Sequence, residues 1–264
     1  MNTIHTEELP AIIEQYLQNR PLFFSYIRPQ EALLFRSFSH LITSPSLDYG
    51  CGDGFFATTT FGTKTKIDIG LDVYNSRIQE AEQYQMYHRM MVYSGNKIPL
   101  PDNSLNTVVS NCVFEHLPNI ELAISEIHRV LQPGGICITS VMTDQWNINL
   151  LGTKVLGPWY ARWMQKRQIH INLFSEEKWR NLFSKQGFSI EDCIGYLSPN
   201  NSRLLDFSHY LSLPSLLVKS LVGRWGGIPF APLRRIMSHH IAQSLEIKTN
   251  TKQSSALFFV LKKK

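Results

Sequence analysis

The chain has 264 residues, enough for one sizeable α/β domain with insertions, and its 43% hydrophobic and 18% charged content excludes a disordered protein. Cys51, Cys112, Cys137 and Cys193 form no CxxC pair and no His/Cys ligand spacing, so no metal is expected and the four read as reduced core thiols of a cytoplasmic protein. The formal charge of +5 is uneven: residues 200–264 carry ten Lys/Arg against only Asp206 and Glu246, a pattern that suits an anionic surface or substrate and equally a solvated basic face.

Met1 to Glu8 is polar and carries two acids, unlike a signal peptide, and no apolar run reaches the ~18–20 residues needed to span a bilayer. The sequence shows no internal repeat. Thr6 to Arg20 reads as a helix with Ile12, Ile13, Tyr16 and Leu17 on one face, broken by Pro21. Pro29 to Ile42 reads as a second helix. These form an N-terminal helical segment, residues 1–44. A core then spans 45–199, with an insertion at 144–172.

Within the core, strand and helix alternate. Strands are expected at Ser46 to Tyr49, Lys66 to Val73, Met90 to Tyr93, Leu105 to Ser110, Gly135 to Val141 and Phe188 to Ile194. Helices are expected at Ser76 to Tyr87, Ile120 to Leu131, and from Ser175 to Gly187, where Ser-Glu-Glu supplies a cap and early acids. Pro133-Gly134-Gly135 reads as the turn between helix and fifth strand. Residues 200–250 read as an irregular lid or cap, and 251–264 hold a final core strand, Ala256 to Leu261. The alternation predicts an α/β fold: a seven-stranded, mostly parallel, Rossmann-like sheet with helices on both faces and lid insertions after strands 5 and 6.

The strongest local signal is Leu47-Asp48-Tyr49-Gly50-Cys51-Gly52-Asp53-Gly54-Phe55-Phe56. A strand runs into three alternating glycines and then a helix, so a ligand can approach the backbone with no Cβ in the way. Asp72, at the end of the next strand, stands about 20 residues on, the spacing of a ribose-binding acid. Together they predict an adenosine-type cofactor. The pattern is GxGxG, not the GxGxxG of dinucleotide binders, and no Lys follows it, which excludes a P-loop.

This segment resembles the first motif of class I (Rossmann-like) S-adenosylmethionine-dependent methyltransferases. Ile69-Gly70-Leu71-Asp72, Ile98-Pro99-Leu100-Pro101-Asp102, Val113-Phe114-Glu115-His116-Leu117 and Leu131-Gln132-Pro133-Gly134-Gly135 are similar to later segments of that family. The resemblance covers residues 45–142, and more loosely 170–196. It implies that Asp48, Tyr49, Gly50, Cys51 and Gly52 lie along the methionine end of S-adenosylmethionine, that Asp72 holds the ribose, and that Val73 lies beside the adenine. Many relatives carry an Asp after the third strand. Here that position is Ser94, so Ser94 or Asn96 would accept from the adenine amine. Asn111 and Cys112 would face the methionine portion and the methyl group. If the acceptor must lose a proton, His116 and His170 are the candidate bases.

The resemblance also sets some acceptors aside. Ser110-Asn111-Cys112-Val113 lacks the Pro-Pro of amino-methyltransferases of nucleic-acid bases, and Cys112 follows Asn rather than the Pro or Thr of cytosine C5 enzymes. Nucleic acid is not expected as a partner. The insertions, with Leu156-Gly157-Pro158-Trp159-Tyr160 and Leu213-Pro214-Ser215-Leu216-Leu217-Val218-Lys219, mix apolar residues with bases. They point to a small, lipophilic or lipid-linked acceptor, with peripheral membrane contact through 200–250. A capping subdomain with its own core is the plainer reading of the same residues. A protein or RNA methyltransferase, and a cofactor-binding protein without transfer, are the alternative functions.

Overall fold

The computed structural model describes residues 4–62, 65–74, 76–223 and 225–264. Arg224, counted above among the basic residues, lies outside them. Helix α1 (Leu9–Asn19) turns Leu9, Ile12, Ile13, Tyr16 and Leu17 inward, an i, i+3, i+4, i+7, i+8 stripe, and Pro10 sits in its first turn, where no amide partner is needed. Helix α2 (Arg28–Ser37) is buried over most of its length.

Strand β1 (Ser46–Tyr49) leads through the glycine loop to α3 (Phe55–Phe61). Strand β2 (Ile67–Val73) is followed by a short α4 (Ile78–Ala81), and β3 spans Tyr87–Tyr93. The helix expected over 76–87 is therefore one turn plus a 3-10 turn at Glu82–Tyr84. Pairing Ile67 with Tyr87 requires the chain to be extended by then, and Gln85 makes the bend at φ +49°.

Strand β4 (Leu105–Asn111) precedes α5 (Ile120–Val130), whose Asn119 cap accepts from the Leu122 amide at 3.3 Å. Strand β5 (Leu131–Met142) starts earlier than expected. Its pairing with β4 passes from Leu105–Leu131 to Thr107–Ile136, so Pro133-Gly134-Gly135 forms an excursion inside the strand rather than a turn before it.

The first insertion folds as α6 (Gln145–Asn149), α7 (Leu151–Leu156) and α8 (Pro158–Arg167). Helix α9 (Glu176–Lys185) is capped by Ser175, and its Trp179 and Phe183, one turn apart, are fully buried. Each contributes on the order of 2–3 kcal/mol by burial. After β6 (Phe188–Tyr196), the segment expected to be irregular forms α10 (Pro199–Leu211), α11 (Leu213–Val222) and α12 (Ala231–Ser244). Strand β7 (Ala256–Lys263) closes the sheet.

The seven strands lie in the order β3-β2-β1-β4-β5-β7-β6; β7 runs antiparallel to β5 and β6, and the other pairs are parallel. Strand β7 is buried on both faces. Ala256, Phe258 and Val260 join the core under α1 and α2, and Leu257, Phe259 and Leu261 join the core with α5 and α9. Strand order reverses between β1 and β4. In open α/β sheets that reversal opens a crevice beyond the strands' carboxyl ends. The glycine loop and Asn111 both stand at that edge.

Candidate active site

The loop after β1 is bent by three left-handed residues, Gly50 (φ +78°), Gly52 (φ +56°) and Gly54 (φ +74°). Their surroundings differ. A Cβ on Gly50 would stand 2.5 Å from Val113 Cγ2, so this glycine serves close packing. Among the described residues, a Cβ on Gly52 would meet nothing within 4 Å, so its bare backbone faces open space. The Gly50 amide donates to Leu71 O at 2.8 Å and the Gly52 amide to Asp72 Oδ2 at 2.7 Å, which ties the loop to the end of β2.

Asp72 Oδ1 accepts from the Val73 amide at 2.7 Å, and burial raises the carboxyl above its usual range. Each oxygen retains acceptor capacity for a further donor such as a ribose hydroxyl. Val73 is part-exposed, and Gly95, between exposed Ser94 and Asn96, approaches it: a Cβ there would lie 3.7 Å from Val73 Cγ1. Asp48 is buried on the opposite side of β1 from Tyr49 and accepts from Tyr87 Oη at 2.6 Å. Burial pushes Asp48 up to about 7, against the Tyr87 hydrogen bond and with the help of the Asp72 charge. The Tyr49 ring packs into the other core, where its hydroxyl accepts from Tyr93 at 2.7 Å, so only its backbone lies on the loop side. Cys51 is buried, its thiol pushed up by desolvation.

An N-terminal clamp closes over this loop. Arg20, just past α1, reaches Asp53 at 2.7 Å with its guanidinium 3.9 Å from the Phe55 ring, and Arg77 reaches Asp53 at 3.2 Å.

At the end of β4 the central residue is one the sequence did not single out. Glu31 of α2 is fully buried and accepts from Arg28 (2.7 Å), Asn111 Nδ2 (2.9 Å), Cys112 Sγ (3.1 Å) and Tyr196 Oη (2.9 Å). Asn111 also accepts from Ser140 Oγ at 2.6 Å, so its amide group is fixed on both sides. Cys112 has a left-handed backbone (φ +51°), and burial holds its thiol far from ionisation.

Beside this hub lies a cavity of about 210 Å³ lined by Phe23, Phe24, Ile27, Met142, Trp146 and Leu205, with Arg28, Cys112, Glu115, His116, Gln168, His170 and His209. His116 and His170, 54 positions apart in sequence, meet here with ring centroids 5.2 Å apart. His116 Nδ1 lies 3.0 Å from Ile169 O. Burial lowers both imidazoles, His170 to about 3, and raises buried Glu115 to about 7. Glu115, Arg28 and Glu31 were not anticipated. The Glu-His pair in Val113-Phe114-Glu115-His116 was visible, but only His116 was singled out.

These residues fit S-adenosylmethionine: an open glycine at the bend, a carboxylate with free acceptor sites, and a small polar loop beside Val73. Residues 47–139 match the family model of a methyltransferase domain. Over residues 47–139 the chain carries a methyltransferase domain, in the Rossmann-like fold shared with S-adenosylmethionine-dependent methyltransferases. This methyltransferase domain is similar to a protein of Mycolicibacterium smegmatis named as an S-adenosylmethionine-dependent methyltransferase, 28% identical over 165 residues, 62% of this chain and 59% of that one. It is also similar to the malonyl-[acyl-carrier protein] O-methyltransferase of Serratia marcescens, 29% identical over 36% of this chain and 37% of that one. The chain thus spans about three fifths of the first relative's length and just over a third of the second's. A solved methyltransferase structure from Thermotoga maritima shares the fold of the domain, with a TM-score of 0.56 at 17% identity, covering 91% of this chain and 90% of that one.

Proposed function

We propose that the chain transfers a methyl group from S-adenosylmethionine to a small, lipophilic or lipid-linked acceptor held in the cavity beside Cys112. The observation that carries this reading is the lining itself: Phe23, Phe24, Ile27, Met142, Trp146 and Leu205 offer an apolar wall, faced by Arg28, Cys112, Glu115, Gln168 and three histidines. The relative from Serratia marcescens, named for an acyl-carrier-protein-bound acceptor, supports the same class.

In this reading Gly50 and Gly52 cradle the methionine end, Asp72 holds the ribose, and Val73 with Ser94 and Asn96 borders the adenine. Bound there, the cofactor supplies a sulfonium methyl open to in-line displacement. The protein's own task is to hold acceptor and methyl in line, worth up to ~7–11 kcal/mol. Arg20 and Asp53 keep the loop closed, and the Glu31 hub fixes the β4 end against which the acceptor rests. Burial keeps the His116 and His170 imidazoles neutral at pH 7, so each has a lone pair free to take an acceptor proton or to bind a cation.

The outer surface supports a lipidic source for the acceptor. Helix α11 has no buried residue; Leu213, Leu217 and Leu221, one turn apart, are exposed, with Lys219 among them. On α7 and α8, Val155, Leu156, Trp159 and Trp163 are exposed, the two tryptophans stacked. Among the described residues no helix is long and apolar enough to cross a membrane.

Methyl-labelled S-adenosylmethionine incubated with the protein and a cell lysate tests the acceptor class. Label is expected in the organic extract, directly or after neutral hydroxylamine has cleaved carrier-bound thioesters; label that stays with precipitated protein or RNA after that treatment would overturn the reading. Flotation with anionic liposomes tests the surface: binding is expected at low salt and is lost in Leu217→Glu/Leu221→Glu, whose melting temperature stays unchanged.

A further inference from the structure

We propose that Glu115, His116 and His170 bind one divalent transition-metal ion at the wall of the acceptor cavity. Each of the three offers a ligand atom, and the three atoms lie within 4.8 Å of one another. Coordination at ~2.0–2.2 Å would require them to converge by an ångström or so.

Four unmatched polar atoms meet in this one cavity. Glu115 is fully buried and, among the described residues, neither carboxylate oxygen has a hydrogen-bond partner; the same holds for buried His170 Nδ1 and for Trp146 Nε1, all lining one cavity. Buried polar groups are nearly always paired, and each one left alone costs about 1–3 kcal/mol. A cation ligated by the carboxylate and both imidazoles would pair Glu115 and His170, and a water or acceptor oxygen on its open position would take the Trp146 N–H.

The surroundings fix the ligands as metal sites require. With Nδ1–H donating to Ile169 O at 3.0 Å, His116 presents the lone pair of Nε2. The amides of Ile171 and Asn172 donate to Glu115 O at 2.7 and 3.0 Å, and Asn172 Nδ2 donates to Phe114 O and Leu117 O at 2.9 and 2.7 Å. These bonds staple the segment carrying His170 to the segment carrying Glu115 and His116. Ile169, a β-branched residue in the left-handed region at φ +56°, makes the bend that turns its carbonyl to His116.

Arg28 faces the same cavity, and its charge is answered by Glu31 at 2.7 Å, so Glu115 is left to answer the metal. Two imidazoles and one carboxylate favour a transition ion such as zinc over magnesium, and a three-ligand set leaves a position open. Resting on the methyl-transfer reading, that position suits an acceptor oxygen, whose proton the metal would acidify.

Tag-free protein titrated with Co²⁺ and followed by visible absorption tests the site. The expected result is ligand-field bands saturating at one Co²⁺ per chain, displaced by Zn²⁺ but not by Mg²⁺, and lost in both Glu115→Gln and His170→Ala. Absence of bands in the unaltered protein, or bands unchanged in the two variants, would overturn the site. Calorimetry with S-adenosylhomocysteine on the same samples shows that the variants are folded and separates the two readings. A chain that binds the nucleoside but not Co²⁺ loses only the metal site; one that binds Co²⁺ but not the nucleoside loses the transferase reading instead.

Discussion

The Gly52 amide donates to Asp72 Oδ2 at 2.7 Å, so the bend after β1 and the acid at the end of β2 form one rigid unit. The residue that leaves the backbone bare and the residue that would hold the ribose position each other. Replacing Asp72 with Ala removes both the proposed ribose contact and the support of the loop. S-adenosylhomocysteine affinity, read by calorimetry, is expected to fall by about 1–3 kcal/mol, the range for hydrogen bonds to a charged group. Unchanged affinity would remove Asp72 from the site.

The three loop glycines should not respond alike. Gly50→Ala drives a methyl into Val113, with the added strain of a left-handed backbone, and is expected to cost about 1–3 kcal/mol of stability. Gly52→Ala meets no atom of the described residues within 4 Å, so it carries only the backbone strain, and its Cβ enters the space proposed for the cofactor. Thermal melting should therefore rank Gly50→Ala as the less stable variant. S-adenosylhomocysteine titration of folded Gly52→Ala should show the weakened binding. Full affinity in Gly52→Ala would place the cofactor elsewhere.

Asp48 should make stability depend on pH. Burial raises its folded value to about 7, while Tyr87 donates to it and the Asp72 charge faces it from β2. The unfolded chain releases that proton near pH ~4. Folding therefore binds a proton between these values: the contribution is full below about 4, falls as pH rises toward about 7, and changes no further above it. In urea unfolding, Asp48→Asn is expected to lose less stability than the unaltered protein between pH 5 and 8. Parallel curves for the two proteins would show that Asp48 does not titrate there.

Glu31 accepts from four side chains, and its removal leaves the Arg28 guanidinium without its counter-charge. Glu31→Ala is expected to destabilise the fold by about 3–5 kcal/mol in chemical denaturation, and Glu31→Gln by less, since it keeps the size and one acceptor. A loss under about 1 kcal/mol for the Ala variant would mean that the hub carries little energy.

What the sequence makes legible here is local. The glycine bend, Asp72 at the next strand's end, and the Ser175 cap are each written within a few residues, and the strand alternation is written in period. Glu31 is different. It sits in a helix read by its apolar residues, and an isolated acid there looks like a solvent-facing position. Its partners Asn111, Cys112 and Tyr196 stand 80 to 165 positions away, a distance that no spacing argument spans. His116 and His170 each stand out in the sequence as candidate bases, but their meeting depends on the Asn172 and Ile171 bonds to the 114–117 turn. The helix expected over 76–87 was shortened by strand register, which belongs to the sheet and not to the segment.

A crystal structure of the chain grown with S-adenosylhomocysteine tests the cofactor site most directly. The expected density lies along the Gly50–Gly52 backbone, with both ribose hydroxyls on Asp72 and the adenine beside Val73. Density elsewhere, or a bend closed to the compound at saturating concentration, would contradict it.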